Sequence, residues 1–318
     1  MSAPSSTDSN SQPEFAVDVE HLEFAYDSSR PPVINDINLQ IPCGSRVVVT
    51  GTNGAGKSTL LRILGGHHQA TSMDSQVRIL GKDAFRDTRL NRERQYMDAN
   101  WGLRTVAFAG TGVAYSANMQ VGSMMKSLQD EFPERRKTLI DVLGINPEWW
   151  WNALSDGQRR RVQLFVGLLV PYKVLLLDEV TALLDVVCRH DLLKYLKMES
   201  ETRGCTVLIA THVFDGIEGW PTHICYLKAY PVPGSLGYFG VVPEEIATVR
   251  GGLLDTVEKW LREEQAQAKA DGVKRIEMEA GEDARMARNS SSKSTTSAGG
   301  YAPGRSDMLS QRGMNLYH

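Results

Sequence analysis

Apolar residues follow two patterns along the chain, and each predicts one type of element. Alternating segments begin at Phe15, Ile34 and Ser45, which favours strands. Continuous apolar runs come later, in "KVLLLDE", "CTVLIATH" and "HICYLKA", and they predict buried strands. Helical spacing occurs between the strands, for example in "KSTLLRILGG" and "VVCRHDLLKYLKMESE". Strands that alternate with helices predict an α/β sheet.

The pattern also predicts an order of domains. Three stretches between about 100 and 170, "NMQVGSMMKSLQDEF", "ERRKTLIDVLGI" and "GQRRRVQLFVGLLV", have helical spacing, which predicts a helical subdomain inserted into the α/β core. A helical segment is predicted at 244–267, with a break at the two glycines 251 and 252. The Ser-rich residues 1–13 and the Ser-, Gly- and charge-rich residues 268–318 predict disorder.

Composition narrows the class of protein. A net charge of −3 provides no electrostatic evidence for direct nucleic-acid binding. The four cysteines contain no CxxC pair, which argues against a zinc site and fits a reducing compartment. No apolar run reaches the ~20 residues of a membrane helix, and the N-terminus lacks the features of a signal or transit peptide. We therefore expect a soluble, cytoplasmic protein with no intrinsic membrane segment, and a nuclear location stays open.

A glycine-rich stretch between a predicted strand and a predicted helix fits the phosphate-loop pattern G-x-x-x-x-G-K-[ST]. Its backbone N–H groups would cradle the phosphates of ATP. Lys57 would reach the β and γ oxygens, and the Ser58 hydroxyl would bind Mg²⁺. The predicted nucleotide contacts of the loop are Gly51, Thr52, Asn53, Gly54, Ala55, Gly56, Lys57, Ser58 and Thr59.

Residues at the ends of other predicted strands complement this loop. Asp178, after an apolar run, would hold Mg²⁺, and Glu179 would take a proton from the attacking water. His212 follows the run "VLIAT" and would reach the γ-phosphate, although a lone histidine there is more often structural. Tyr26 would stack on adenine; its alternative role is packing. Catalysis is thus predicted to depend on Lys57, Glu179 and His212.

Five motifs, "GTNGAGKST", "LSDGQ", "LLLDE", "TALLD" and "ATH", stand in the order and spacing of an ATP-binding-cassette (ABC) ATPase, and the chain resembles that family from Phe15 to Leu227. The resemblance implies an ABC domain over 14–243, with a mixed sheet and an N-terminal antiparallel part. It also implies a head-to-tail homodimer on ATP binding. The signature residues Ser155, Gly157 and Gln158 would then contact the ATP of the opposite subunit, and Asp185 would belong to a loop that crosses the interface.

Finer features resemble a small group of lone eukaryotic cassettes, which includes plant subfamily I and a yeast protein linked to the Not-type transcription and deadenylation complex. Asp156 in the signature and Val180 after the glutamate carry this resemblance. Leu183 departs from the group. The usual glutamine of the Q-loop has no convincing position; "QYMDANW", Gln95 to Trp101, occupies its region, with Asn100 as a candidate substitute. We expect an ATPase that regulates a protein complex. The alternatives are a detached transporter motor and an ATP-dependent scaffold with negligible turnover.

Overall fold

The computed structural model describes residues 13–27, 29, 31–98, 119–247, 249 and 251–292. It divides into two compact units after Ala268. The strands within the described residues are β1 (Phe15–Phe24), β2 (Ile34–Pro42), β3 (Arg46–Gly51), β4 (Gln76–Ile79), β5 (Lys82–Asp83), β6 (Arg94–Asp98), β7 (Val174–Asp178), β8 (Thr206–Ala210), β9 (His223–Lys228) and β10 (Ser235–Val241). The α-helices there are α1 (Lys57–Leu64), α2 (Lys126–Glu131), α3 (Pro133–Leu143), α4 (Asp156–Leu168), α5 (Val186–Arg203), α6 (Glu244–Ala247) and α7 (Gly252–Ser292). Short 3₁₀ helices cover Thr88–Arg92, Val121–Ser123 and Trp151–Ala153.

The strands form two sheets. Four strands make an antiparallel sheet in the order β2-β1-β4-β5. Six strands make a mixed sheet in the order β10-β9-β3-β8-β7-β6, in which β10 is antiparallel to β9 and the other pairs are parallel. The predicted combination of a mixed core and an N-terminal antiparallel part is confirmed.

The parallel strands place the predicted chemistry at one edge. The carboxyl ends of parallel strands point the same way, and ligands of such sheets bind beyond those ends. β3 ends at Gly51, where the phosphate loop starts, and β7 ends at Asp178, which pairs in register with Ala210 of β8. On the other side of β7, Asp98 of β6 stands in register with Asp178.

Two apolar clusters cover the two faces of the mixed sheet. Leu175 and Leu177 of β7 belong to the cluster that includes the helical part between β6 and β7. Val174 and Leu176 of the same strand belong to the cluster that includes α1 and the antiparallel sheet. A strand that is covered on both faces needs a continuous apolar run, because successive side chains point to opposite faces. This burial explains why "VLLL" shows no alternation.

Two helices, α6 and α7, lie in the region of the C-terminal helical segment predicted at 244–267. The break at the paired glycines is present, since α6 ends at Ala247 and α7 begins at Gly252. However, α7 continues to Ser292 instead of ending at 267. Ala, Glu, Lys, Arg and Met are abundant between 268 and 288, and these residues favour helix. The Ser- and Gly-rich part that suggested disorder lies mostly beyond residue 292, outside the described residues. Among the helices that the structure describes, none is long and apolar enough to span a membrane.

Candidate active site

The phosphate loop runs from the end of β3 to the start of α1, as predicted. Two positions of this loop require glycine for steric reasons. Gly51 has φ 148°, and a Cβ atom there would lie 2.2 Å from the carbonyl oxygen of Leu227 in β9. Gly56, the residue before α1, has φ 88°, a conformation that L side chains rarely adopt. The loop can therefore turn tightly enough to direct backbone N–H groups at a phosphate.

Lys57 crosses its own loop. Its Nζ donates to the carbonyl oxygens of Gly51 and Thr52 at 2.8 and 3.0 Å. The residue is 7% exposed. Burial lowers the pKa of Lys57, and the negative charges of Glu179 and Asp178 oppose that shift. These contacts hold the Lys57 ammonium group against the loop, where the phosphates of a nucleotide would lie.

Ser58 and Asp178 come together although they are far apart in sequence. The Ser58 hydroxyl donates to Asp178 Oδ1 at 3.0 Å. Burial raises the pKa of Asp178, while the hydrogen bond from Ser58 lowers it. A hydroxyl and a carboxylate on adjacent elements are the hard oxygen ligands that Mg²⁺ prefers. Among the described residues, no group of three or more His, Cys, Asp or Glu side chains is placed to hold a metal ion.

Glu179 and His212 form the second part of the cluster. Glu179 has φ 55°, a conformation that costs about 1–3 kcal/mol for a residue with a side chain and is concentrated at functional sites. His212 Nε2 lies 3.1 Å from Glu179 Oε1, but the geometry leaves this buried oxygen without an aligned hydrogen-bond donor. Burial raises the pKa of Glu179, against the lowering effects of His212 and Lys57. A carboxylate with an unused acceptor can receive a proton from water.

Tyr26 lies just beyond β1 and next to the first turn of α1. Its hydroxyl is 3.1 Å from Thr59 Oγ1, and its ring makes edge contacts with Phe24 and His68. The residue is 54% exposed. An exposed ring anchored beside the phosphate loop is suited to stacking on a base.

The signature residues begin α4. Ser155 is the N-cap, and with Gln158 it forms a capping box: the Ser155 hydroxyl accepts from the Gln158 backbone N–H at 3.3 Å. A Cβ atom added to Gly157 would lie 3.4 Å from the carbonyl oxygen of Leu183. The start of α4 therefore contacts the loop that precedes α5.

Asp185 has two contacts within its own chain. It caps α5 by accepting from the Cys188 backbone N–H at 3.0 Å, and it forms an ion pair with Arg161 of α4. These contacts join the loop before α5 to the signature helix. They are compatible with the predicted interface role of the loop, because Leu183 in the same loop is 54% exposed.

The chain is similar to known proteins over most of its length. The family model described as "ABC transporter" matches residues 34–182. ABC transporter I family member 20 of Arabidopsis thaliana is 40% identical over 295 residues, covering 86% of this chain and 88% of the relative. CCR4-associated factor 16 of Saccharomyces cerevisiae is 41% identical over 232 residues, covering 71% of this chain and 80% of the relative.

The chain belongs to the ABC transporter family. It is an ABC ATPase, and its resemblance to the plant and yeast cassettes is confirmed. Its fold is also that of a dimeric bacterial ABC transporter cassette, with a TM-score of 0.59 at 20% identity, over 71% of this chain and 99% of the cassette.

The structure of this ABC ATPase adds residues that motif matching missed. The Tyr96 hydroxyl on β6 donates to Asp178 Oδ2 at 3.4 Å, and Arg62 Nε donates to Tyr96 at 3.3 Å. Arg62 also lies 3.6 Å from Asp98. Arg62 stands four residues after Ser58, on the same face of α1. This spacing is the one feature of the sequence that could have placed Arg62 near the site. The Q-loop candidate Asn100 lies outside the described residues.

Proposed function

We propose that this ABC ATPase works as a homodimer in which each subunit's signature closes the ATP site of the other. The observation that carries the proposal is the cluster of Lys57, Ser58, Asp178, Glu179 and His212 at one edge of the sheet. The cluster would supply a phosphate-binding ammonium, oxygen ligands for Mg²⁺ and a proton acceptor, which are groups that phosphoryl transfer to water needs on one side of ATP. The proposal assigns the remaining side to Ser155, Gly157 and Gln158 of the second chain, because a helix N-terminus suits an anionic γ-phosphate.

Exposed apolar residues support an interface beside the signature. Leu183, Val186 and Val187 are 54%, 70% and 70% exposed, and they flank Asp185 at the start of α5. Neighbouring apolar side chains that face solvent are typical of interaction sites. A second copy related by a two-fold axis would cover the same residues on both chains at once.

Within the site each residue has one proposed task. Backbone N–H groups of residues 51–59 and the Lys57 ammonium bind the phosphates, and the Tyr26 ring stacks on adenine. Glu179 accepts the proton of the attacking water, and His212 donates a hydrogen bond to the γ-phosphate. These groups stabilise charge that develops during the transfer of the phosphoryl group.

The residues present fit Mg²⁺. This ion takes one or two protein oxygens and completes its coordination with water and nucleotide phosphates, so the Ser58 and Asp178 pair is a sufficient protein ligand set. Binding of a divalent cation would also favour the charged form of Asp178, whose pKa burial raises. Mg²⁺ would supply charge neutralisation of the phosphates.

The biological role that we propose is ATP-dependent regulation of a cytoplasmic or nuclear protein complex. The yeast relative is named for its association with CCR4, and the Not-type deadenylation machinery is therefore the proposed class of partner. The plant relative's name instead favours a transporter subunit as the second candidate. The two candidates differ in whether the partner is a soluble complex or a membrane protein.

Affinity capture of the tagged native protein distinguishes these roles. Glu179→Gln should hold the dimer closed on ATP, and we expect it to recover more deadenylase subunits than the wild type. The matched control is Glu179→Gln combined with Ser155→Arg, which should return recovery to the wild-type level. Recovery of a membrane permease in place of deadenylase subunits would contradict the proposed role and favour the second candidate.

A further inference from the structure

The first part of α7 packs on the ATPase core through one stripe. Leu253 and Val257 are 1% and 0% exposed. Leu253 belongs to the apolar cluster that includes the helical part between β6 and β7, and the partly buried Trp260 packs against that cluster. The ring of Trp260 lies 5.2 Å from those of Tyr226 and Tyr238. Positions 253, 257, 260 and 264 share one helix face. The apolar pattern of this face is interrupted at Glu264, which is 7% exposed.

Glu264 has an unusually complete set of donors. Its Oε1 accepts from the backbone N–H groups of Ala229 and Tyr230 at 2.8 and 3.0 Å, and from the Thr52 hydroxyl at 3.3 Å. Its Oε2 accepts from the Tyr226 hydroxyl. Burial and the hydrogen bond to Glu264 raise the pKa of Tyr226, so this hydroxyl stays protonated and remains a donor.

A carboxylate at a buried position is costly unless donors compensate for its lost hydration. An apolar residue at position 264 would continue the buried face of α7 without that cost. The presence of a carboxylate at this position is therefore best explained by the groups that it contacts. Two of its donors belong to the segment after β9, and a third, Thr52, belongs to the phosphate loop. Thr52 is also one of the two residues whose carbonyl oxygens hold the Lys57 ammonium. Glu264 thus reaches the nucleotide site through a single residue.

We propose that Glu264 is a positioning residue for the phosphate loop, and that it couples ATP binding to the docking of the first part of α7, up to Ala268. This inference rests on the proposed binding of ATP by that loop. When α7 is docked, Glu264 holds Thr52 in the conformation that receives the phosphates. By linkage, ATP then strengthens the docking of α7 by the same factor. The C-terminal helix would in this way respond to the nucleotide state of the cassette.

Three single variants separate the carboxylate's role from a general effect on α7. Glu264→Ala removes the acceptor, and we expect ATP to bind about 5- to 30-fold more weakly, the effect of one or two net interactions. Glu264→Gln keeps Oε1 for its three donors and turns its amide to the Tyr226 oxygen, so we expect affinity within about twofold of wild type. The matched control, Glu263→Ala, changes an exposed neighbour on the same helix and should leave affinity unchanged.

A double-mutant cycle tests whether Glu264 acts through Thr52. In a Thr52→Val background, Glu264→Ala should weaken ATP binding by less than about threefold. ATP should also slow hydrogen exchange in residues 253–264 of the wild type and not in Thr52→Val. Calorimetry and hydrogen-exchange mass spectrometry are the measurements, and thermal melts identify variants that fail to fold.

The possible results distinguish a failure of the Glu264 coupling from a failure of the proposed ATP-binding function. A wild-type protein that does not bind ATP would overturn both. A wild type that binds ATP while the folded Glu264→Ala variant binds equally well would overturn only the coupling. If Glu264→Ala weakens ATP binding by the same factor in the wild-type and Thr52→Val backgrounds, the carboxylate stabilises α7 and does not position the loop.

Discussion

Replacement of Glu179 by glutamine is expected to slow ATP hydrolysis by about 10²–10⁴-fold, the usual contribution of a general base. The amide has the size of the carboxylate but cannot accept the proton of the attacking water. The contacts that bind nucleotide stay in place, because Lys57 and Ser58 do not depend on the Glu179 charge for their hydrogen bonds. ATP affinity should therefore change little. Phosphate release under saturating MgATP measures the effect.

The matched control for this prediction is Glu134→Gln, the same change at an exposed position of α3. Its hydrolysis rate should equal that of the wild type. A Glu179→Gln protein that binds ATP and keeps the wild-type rate would show that another group accepts the proton. His212 would then be the first residue to test, because its Nε2 lies 3.1 Å from Glu179.

The second large effect concerns Lys57. Lys57→Ala removes the charge-assisted contact of the ammonium with the phosphates, and the net loss of one such hydrogen bond, about 1.5–3 kcal/mol, should weaken ATP binding about 10- to 150-fold. The loss is expected to be large because this ammonium is buried at the loop and is held there by the carbonyl oxygens of Gly51 and Thr52. Calorimetric titration with ATP, with and without Mg²⁺, measures the change.

Lys137→Ala is the control for charge alone, since this lysine is exposed on α3. It should bind ATP as tightly as the wild type. Wild-type affinity in the folded Lys57→Ala variant would contradict the assignment of the phosphate loop. A weaker affinity that no longer responds to Mg²⁺ would instead extend the role of Lys57 to the placement of the metal ion.

Long or strongly patterned elements could be predicted from sequence, and short edge elements could not. The buried strands β3, β7 and β8 are continuous apolar runs with clear ends. The strands β4 and β5 have only four and two residues, too few for a periodic signal. In β10 the two glycines of "SLGYFGV" interrupt the alternation, although pairing with β9 stabilises the strand in the fold.

The candidate site also contains some residues that could be predicted from the sequence and others that could not. The phosphate loop, Asp178, Glu179 and His212 were predicted because each lies within or beside a local motif, although the roles assigned to them remain predictions. Tyr96 and Glu264 lie 82 and 212 residues from the site residues that they contact, Asp178 and Thr52. No local pattern reports contacts of that kind, since they exist only after the strands and α7 have packed.

The capping roles of Ser155 and Asp185 show a further limit of predicting residue roles from a family resemblance. Both residues were assigned to nucleotide or interface contacts from the resemblance to ABC ATPases. The structure gives each of them a task within its own chain, because each accepts a backbone N–H at the start of a helix. A polar residue before an apolar helical run predicts a cap on general grounds. The two roles are compatible, since a capped helix start is a well-ordered surface for a partner.

We propose that ATP closes two copies of this chain into a dimer, and light scattering of the Glu179→Gln protein with MgATP tests this closure most directly. We predict a mass of twice the 35.2 kDa of one chain with MgATP and the mass of one chain without it. Adding Ser155→Arg should abolish the shift, because its side chain would obstruct the facing phosphates, whereas adding Ser123→Arg, at an exposed serine of the helical part, should not. A Glu179→Gln protein that binds ATP yet keeps the mass of one chain at tens of micromolar would contradict the account.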